Sequence, residues 1–161
     1  MANTISNYAV IDVTPTLDTN EYASGDALFN KQEIPNAVLG NKGCSKLLGI
    51  TINSKKAADT NFIVYFMTNN QSVAAANAAI NVSAADGASA GFLGFVEMAQ
   101  VESDLGNFVI HQMGETDEDA NMKMLLQAAE GSSSVYFFAS TTTVQTYAAN
   151  DLTFRFHIQY K

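Results

Sequence analysis

The sequence predicts an all-β fold, an antiparallel sandwich or barrel with one short helix near residues 83–90. Three observations carry that reading. The closing stretch alternates without a break, with Leu152, Phe154, Phe156, Ile158 and Tyr160 on one face and Thr153, Arg155, His157, Gln159 and Lys161 on the other, as in a half-buried strand. Residues 61–68 (Asn-Phe-Ile-Val-Tyr-Phe-Met-Thr) are short, β-branched and aromatic, and apolar on both faces, which predicts a central strand. Gly, Asn, Asp and Ser clusters at 23–26, 39–43, 104–107 and 130–134 then cut the chain into short pieces with no helical period between them. Many short strands without intervening helices favour an antiparallel layout over a parallel α/β one.

In chain order, strands are expected at 8–13, 26–29, 47–53, 61–68, 92–98, 108–113, 122–128, 135–140 and 152–161. Pro15 ends the first of them or lies on an edge, because it has no N–H for the ladder. Residues 72–90 are rich in Ala, the best helix former, and contain no Pro. Ser83-Ala84-Ala85-Asp86 has the form of a capping box, and Gly87 and Gly91 limit its continuation, so the helix there is brief and covers an end of the sandwich. No linker, repeat or charged tail divides the 161 residues, which are expected to form one domain, 1–161.

Composition narrows the function classes. Hydrophobic residues make up 47% of the chain and charged residues 15%, enough apolar surface for a core. Eight Lys and Arg against sixteen Asp and Glu give a net charge of −8, which argues against nucleic acid or an anionic membrane as partner. No apolar run reaches the roughly 18 residues of a membrane helix, and residues 1–7 have neither the basic nor the apolar part of a signal peptide, so no membrane partner or export is expected.

The chemistry-bearing motifs are weak. Asp117, Asp119 and Asn121 have the alternate spacing of a calcium loop, but Met122 stands where that loop needs Gly and Ala128 where it needs a bidentate Glu. Gly40-Asn41-Lys42-Gly43-Cys44-Ser45-Lys46 lacks the spacing of a phosphate loop and is expected to be a surface turn. Cys44 is expected to be a buried or half-buried small residue, and a single cysteine excludes an intrachain disulfide. His111 and His157 sit inside strands without a His-x-His or Glu-x-x-His partner, and no Gly-x-Ser-x-Gly elbow exposes a nucleophile. Ten Phe and six Tyr concentrate in the strands, where they fill a core. No catalytic residue, metal ligand or cofactor is therefore assigned, and the chain is not expected to be an enzyme.

Residues 12–29 read Asp-Val-Thr-Pro-Thr-Leu-Asp-Thr-Asn-Glu-Tyr-Ala-Ser-Gly-Asp-Ala-Leu-Phe, followed by Glu33-Ile34 and Asn36-Ala37-Val38. A turn Thr143-Val144-Gln145-Thr146-Tyr147 then precedes Asp151-Leu152-Thr153 and the last strand. This pattern resembles a family of small virion structural proteins of tailed phages. The resemblance extends over nearly the whole chain in element order and is specific over residues 15–29 and the last twenty. The sequence departs from the family at residues 42–46, where Cys44 and two lysines replace a plainer Gly-rich turn. The resemblance implies a jelly-roll-like sandwich acting in the virion as a capsid decoration, or cement, protein, with the major capsid protein and other copies of itself as partners. A tail- or fibre-associated module binding a receptor or glycan is the alternative, and a jelly-roll enzyme ranks last. The expected capsid contact is the edge and loop at 14–22, with Thr14, Pro15, Thr16 and Tyr22, because Pro15 cannot pair at its own nitrogen and leaves an edge for another chain.

Two of the calcium-loop positions are wrong, so thermal melts with and without a strong chelator should coincide. A drop of many degrees on chelation would show that residues 115–121 hold a structural ion.

Overall fold

The computed structural model describes residues 7–56, 61–98, 102–114 and 124–161. Its strands are β1 (Tyr8–Val13), β2 (Glu21–Tyr22), β3 (Asp26–Ala27), β4 (Gln32–Ile34), β5 (Cys44–Ser54), β6 (Phe62–Met67), β7 (Ala78–Ala79), β8 (Phe92–Met98), β9 (Glu102–Asp104), β10 (Val109–Gly114), β11 (Leu125–Gln127), β12 (Val135–Thr141), β13 (Gln145–Thr146) and β14 (Leu152–Tyr160), with the helix α1 (Ala84–Ala90) between β7 and β8. Every pairing is antiparallel. The first sheet runs β1-β14-β5-β10-β9, with β11 beside β10 along the same edge of the long β5. The second runs β7-β3-β12-β6-β8, with β4 also paired to β12, and β2 and β13 form a separate two-stranded ribbon.

Each of the nine stretches expected to be strands contains one. The limits of β1 and β8 match; β3 stops at Ala27, although Leu28 N–H still donates to the Ala139 carbonyl at 2.8 Å. The short strands β2, β4, β7, β9 and β13 carry too few residues for an alternation to register in the sequence. β1 ends two residues before Pro15, as a missing ladder donor requires.

The two sheets face each other through aromatic rings. In β14, Leu152, Phe154, Phe156 and Ile158 are buried while Thr153, Arg155 and His157 alternate outward, the one-sided strand that the sequence predicts. Phe137 of β12 packs edge-on against Phe156, ring centres 4.8 Å apart, and against Phe154 at 5.3 Å; Phe29 meets Phe154 at 5.4 Å, and Phe66 of β6 meets Phe156 at 5.9 Å. Edge-to-face and tilted contacts at these distances suit the ring quadrupoles. One irregularity keeps β5 in phase with them. Between His157 and Ile158 the register skips Leu48, so Leu47 and Ile50, an odd number of residues apart, both face the core.

Helix α1 follows the capping logic of its sequence. Ser83 is the N-cap and its Oγ accepts the Asp86 N–H at 3.1 Å, while Gly91 closes the helix in the left-handed region at φ 62°. The chain between β6 and β8 travels to the far edge of the second sheet, where β7 pairs with β3, and returns through α1. Thr68 and Asn69 N–H groups donate to the Gly91 and Ala90 carbonyls, tying the helix to the end of β6, and so to an end of the sandwich. Met67 and Phe138, outward-pointing by the alternation of their strands, are buried nonetheless.

Phe156→Ala should cost about 3–5 kcal/mol, the usual penalty for removing a buried ring. Arg155→Ala and His157→Ala should each cost under about 1 kcal/mol, since both side chains lie on the outer face and the Arg155 ion pair is exposed. Denaturant midpoints of the three variants check this; equal damage from all three would mean that β14 is not one-sided.

Candidate interaction surface

The residues expected at the interface separate into two pairs. Thr14 and Thr16 are exposed, and Thr14 Oγ1 lies 2.9 Å from Thr153 Oγ1. Pro15 and Tyr22 are buried, which corrects the expectation that they meet a partner. The 14–22 segment is not an open edge either. Leu17, itself buried, donates its N–H to the Ala149 carbonyl at 2.9 Å, and β2 is already paired with β13.

Tyr22 is a structural post. Its hydroxyl accepts the Asp18 N–H at 2.7 Å and donates to the Leu28 carbonyl at 2.9 Å, and its ring meets Tyr147 edge-on at 5.9 Å. Burial pushes its phenol up to about 12. An aromatic residue inside a polar, turn-rich run that precedes a strand was the available signal: a ring there finds water on neither side once the turn folds back.

The remaining motif residues do not converge. His111 is buried and packs at 4.9 Å against Phe62 inside the sandwich, whereas His157 lies on the outer face of the first sheet with Nε2 3.2 Å from Thr51 Oγ1. Opposite faces of one sheet cannot share a metal ion. Among the described residues no three His, Cys, Asp or Glu side chains gather as ligands. The acidic stretch at 115–121 lies outside the described residues. Cys44 is half-buried at the start of β5. Residues 40–43 are the expected tight turn, in which a Cβ on Gly43 would stand 2.2 Å from the Leu39 carbonyl oxygen and Lys42 takes φ 54°, but residues 44–46 already belong to β5 and pair with β11 and β14.

Two outer faces are left to meet partners. That of the first sheet is polar. Arg155 donates from Nε and Nη2 to the two oxygens of Asp12, both at 2.8 Å, and these bonds hold the Asp12 carboxyl below the usual carboxylate range. Thr51, Thr153, His157 and Gln159 share this face, and Tyr8 and Val10 of β1 are its exposed apolar members. The outer face of the second sheet is aromatic instead. Phe95 of β8, Tyr65 of β6 and Phe138 of β12 form one row across three strands, with Tyr65 stacked on Phe138 at 4.7 Å and Phe95 at 6.1 Å from Tyr65. Phe95 is 61% exposed and Phe92, which also touches Phe138, is 42% exposed. Exposed large rings continuous with buried ones are a feature that interface cores share, in which aromatic residues are enriched.

No family model matches the chain, and no curated protein is significantly similar to it. Among the described residues no helix is long and apolar enough to cross a membrane.

The Tyr22 phenol ionises later in the folded than in the unfolded chain. Unfolded protein therefore loses that proton first as pH rises, and this group's contribution to stability is complete below about pH 10 and is lost between pH 10 and about 12. Tyr22→Phe should lower stability at neutral pH, by about 1–3 kcal/mol for the buried groups it leaves unbonded, and flatten the alkaline fall. Urea midpoints from pH 7 to 12 check both signs; an unchanged alkaline slope would contradict the burial argument.

Proposed function

We propose that this protein decorates the outside of a tailed-phage head, acting at the virion surface as a cement between neighbouring major capsid subunits. The sequence resemblance supplies the class. The structural observation that supports it is the aromatic patch on the outer face of the second sheet, where exposed Phe95 and Phe92 adjoin half-buried Tyr65 and buried Phe138. On this reading the patch, rather than residues 14–22, is the capsid contact. A few desolvated rings supply most of the energy of such contacts, and repetition over a symmetric shell converts a modest affinity per site into durable attachment.

We read the strand order as a jelly roll. The order β1-β14-β5-β10 faces β3-β12-β6-β8, and along these eight strands the chain crosses to the other sheet at every step but that from β6 to β8, in the manner of two interleaved Greek keys. Capsid and lectin domains both use that fold, so it agrees with the cement role without selecting it. For a glycan-binding tail module, polar side chains would converge beside the rings. Beside Phe95 on this face stand Phe92, Tyr65 and Ile63, and Glu97 is the one charged neighbour on β8.

The experiment is reconstitution on heads that lack the protein. Purified protein should pellet with the heads and saturate at a fixed number of copies per shell, and Phe95→Ser should weaken binding at least about tenfold, a change of about 1.4 kcal/mol. Phe95 is exposed, so the variant should melt at the wild-type temperature. Wild-type protein that stays in the supernatant would overturn the cement role, and a Phe95→Ser protein that binds normally would overturn the patch.

A further inference from the structure

The sheet edges are not equally protected. An edge strand offers unpaired backbone donors and acceptors to any other chain, and proteins blunt it with short length, bulges, prolines or charges. β9, β7 and β4 are two or three residues long. β8 is bent at the irregularity beside Phe66 and Met67, Gly94 there takes φ 145°, and the strand carries Glu97 with no basic residue. β1 is neither short nor bulged. Its six residues pair in unbroken register with β14, include neither Lys nor Pro, and carry one charge, Asp12, which Arg155 neutralises.

The phase of the ladder says which backbone groups face the open side. Tyr160 N–H donates to the Asn7 carbonyl at 2.8 Å, so the hydrogen-bonded pairs with β14 fall on the odd-numbered residues of β1. The N–H and C=O groups of Val10 and Asp12 therefore point away from β14. Val10 also presents its side chain, 60% exposed, in the middle of the strand.

We infer that β1 is a self-association edge, at which two copies of this chain pair antiparallel about a two-fold axis through Val10 and continue the first sheet from one copy into the other. Such pairing belongs to the free protein and does not rest on the capsid reading. In that register Val10 stands opposite Val10 of the second copy, and Asp12 stands opposite Tyr8 of the second copy. The outward backbone groups of Val10 and Asp12 fall in hydrogen-bonded positions, and no like charges meet. Charge also argues for a second copy at this place rather than another. The net charge of −8 opposes association over most of the surface, but here Asp12 is offset by Arg155, and Lys161 follows directly on β14.

A six-residue pairing is small for a permanent dimer. The weight-average mass in sedimentation equilibrium should therefore rise with concentration from the 17.2 kDa of one chain toward twice that value. Val10→Lys should stay at the single-chain mass throughout and melt like the wild type, while Glu97→Lys on β8 should associate as the wild type does. A second measurement does not depend on how Val10→Lys folds. In a Cys44→Ser background, V10C should give a disulfide-linked dimer on mild oxidation, because hydrogen-bonded antiparallel partners have Cα atoms about 5.5 Å apart, within disulfide reach. E97C in that background should not. A wild-type chain that stays at the single-chain mass at every concentration would overturn the inference. So would association that survives Val10→Lys or is lost in Glu97→Lys, failure of V10C to cross-link, or cross-linking of E97C.

Discussion

Contact of Phe137 with both Phe154 and Phe156 joins an interior strand of each sheet to the other, and the rest of the sandwich depends on it. β14 lies between β1 and β5, and β12 lies between β6 and the short strands β3 and β4. Each strand thus organises its own sheet while its rings bind the other. Aromatic pairs contribute about 0.5–1.5 kcal/mol beyond the area they bury, and one ring of β12 held against two rings of β14 leaves little freedom in how the sheets stack. Phe29 and Phe66 extend the cluster, so the core is continuous from the β3 side to β6.

This arrangement sets a constraint on assembly. β14 is the last strand in the chain, yet it occupies an interior position in the first sheet and pairs with the first strand, so Asp12 and Arg155 meet across 143 residues. Contacts of such separation are costly to close and slow to form. The first sheet cannot be completed before residues 152–160 are present. The bidentate Asp12–Arg155 bond and the Thr14–Thr153 hydroxyl contact then fasten β1 onto the outside of β14.

The parts of the fold written as local pattern were legible in the sequence: the alternation in 152–160, the apolar run at 61–68, and the Ser83–Asp86 cap with Gly91 as its stop. The illegible parts came from pairings between distant residues. The bulge at Leu48 exists because β5 must match β14, and β7 exists only because β3 offers an edge to two alanines. The site was less legible than the fold. Pro15 was rightly a strand terminator, but the absence of a ladder at one residue did not leave an open edge, because Leu17 and Tyr22 turn inward and bind the 147–149 region and Leu28. Phe92 and Phe95 look in sequence like any other strand aromatics, and only the register of β8 on β6 puts Phe95 on the outer face beside Tyr65. The polar and the aromatic outer faces follow from the same alternation that builds the core, one strand pair at a time.

The central claim is that the two sheets are one cooperative unit held through the rings of β12 and β14. Native-state hydrogen exchange tests it most directly, because amides that open only in global unfolding share one free energy, whereas independent units show separate ones. On this account the amides of β5, β6, β12 and β14 form a single slowest class spanning both sheets, with those of α1 and the short strands exchanging faster. Two distinct slow classes, one confined to each sheet, would contradict it.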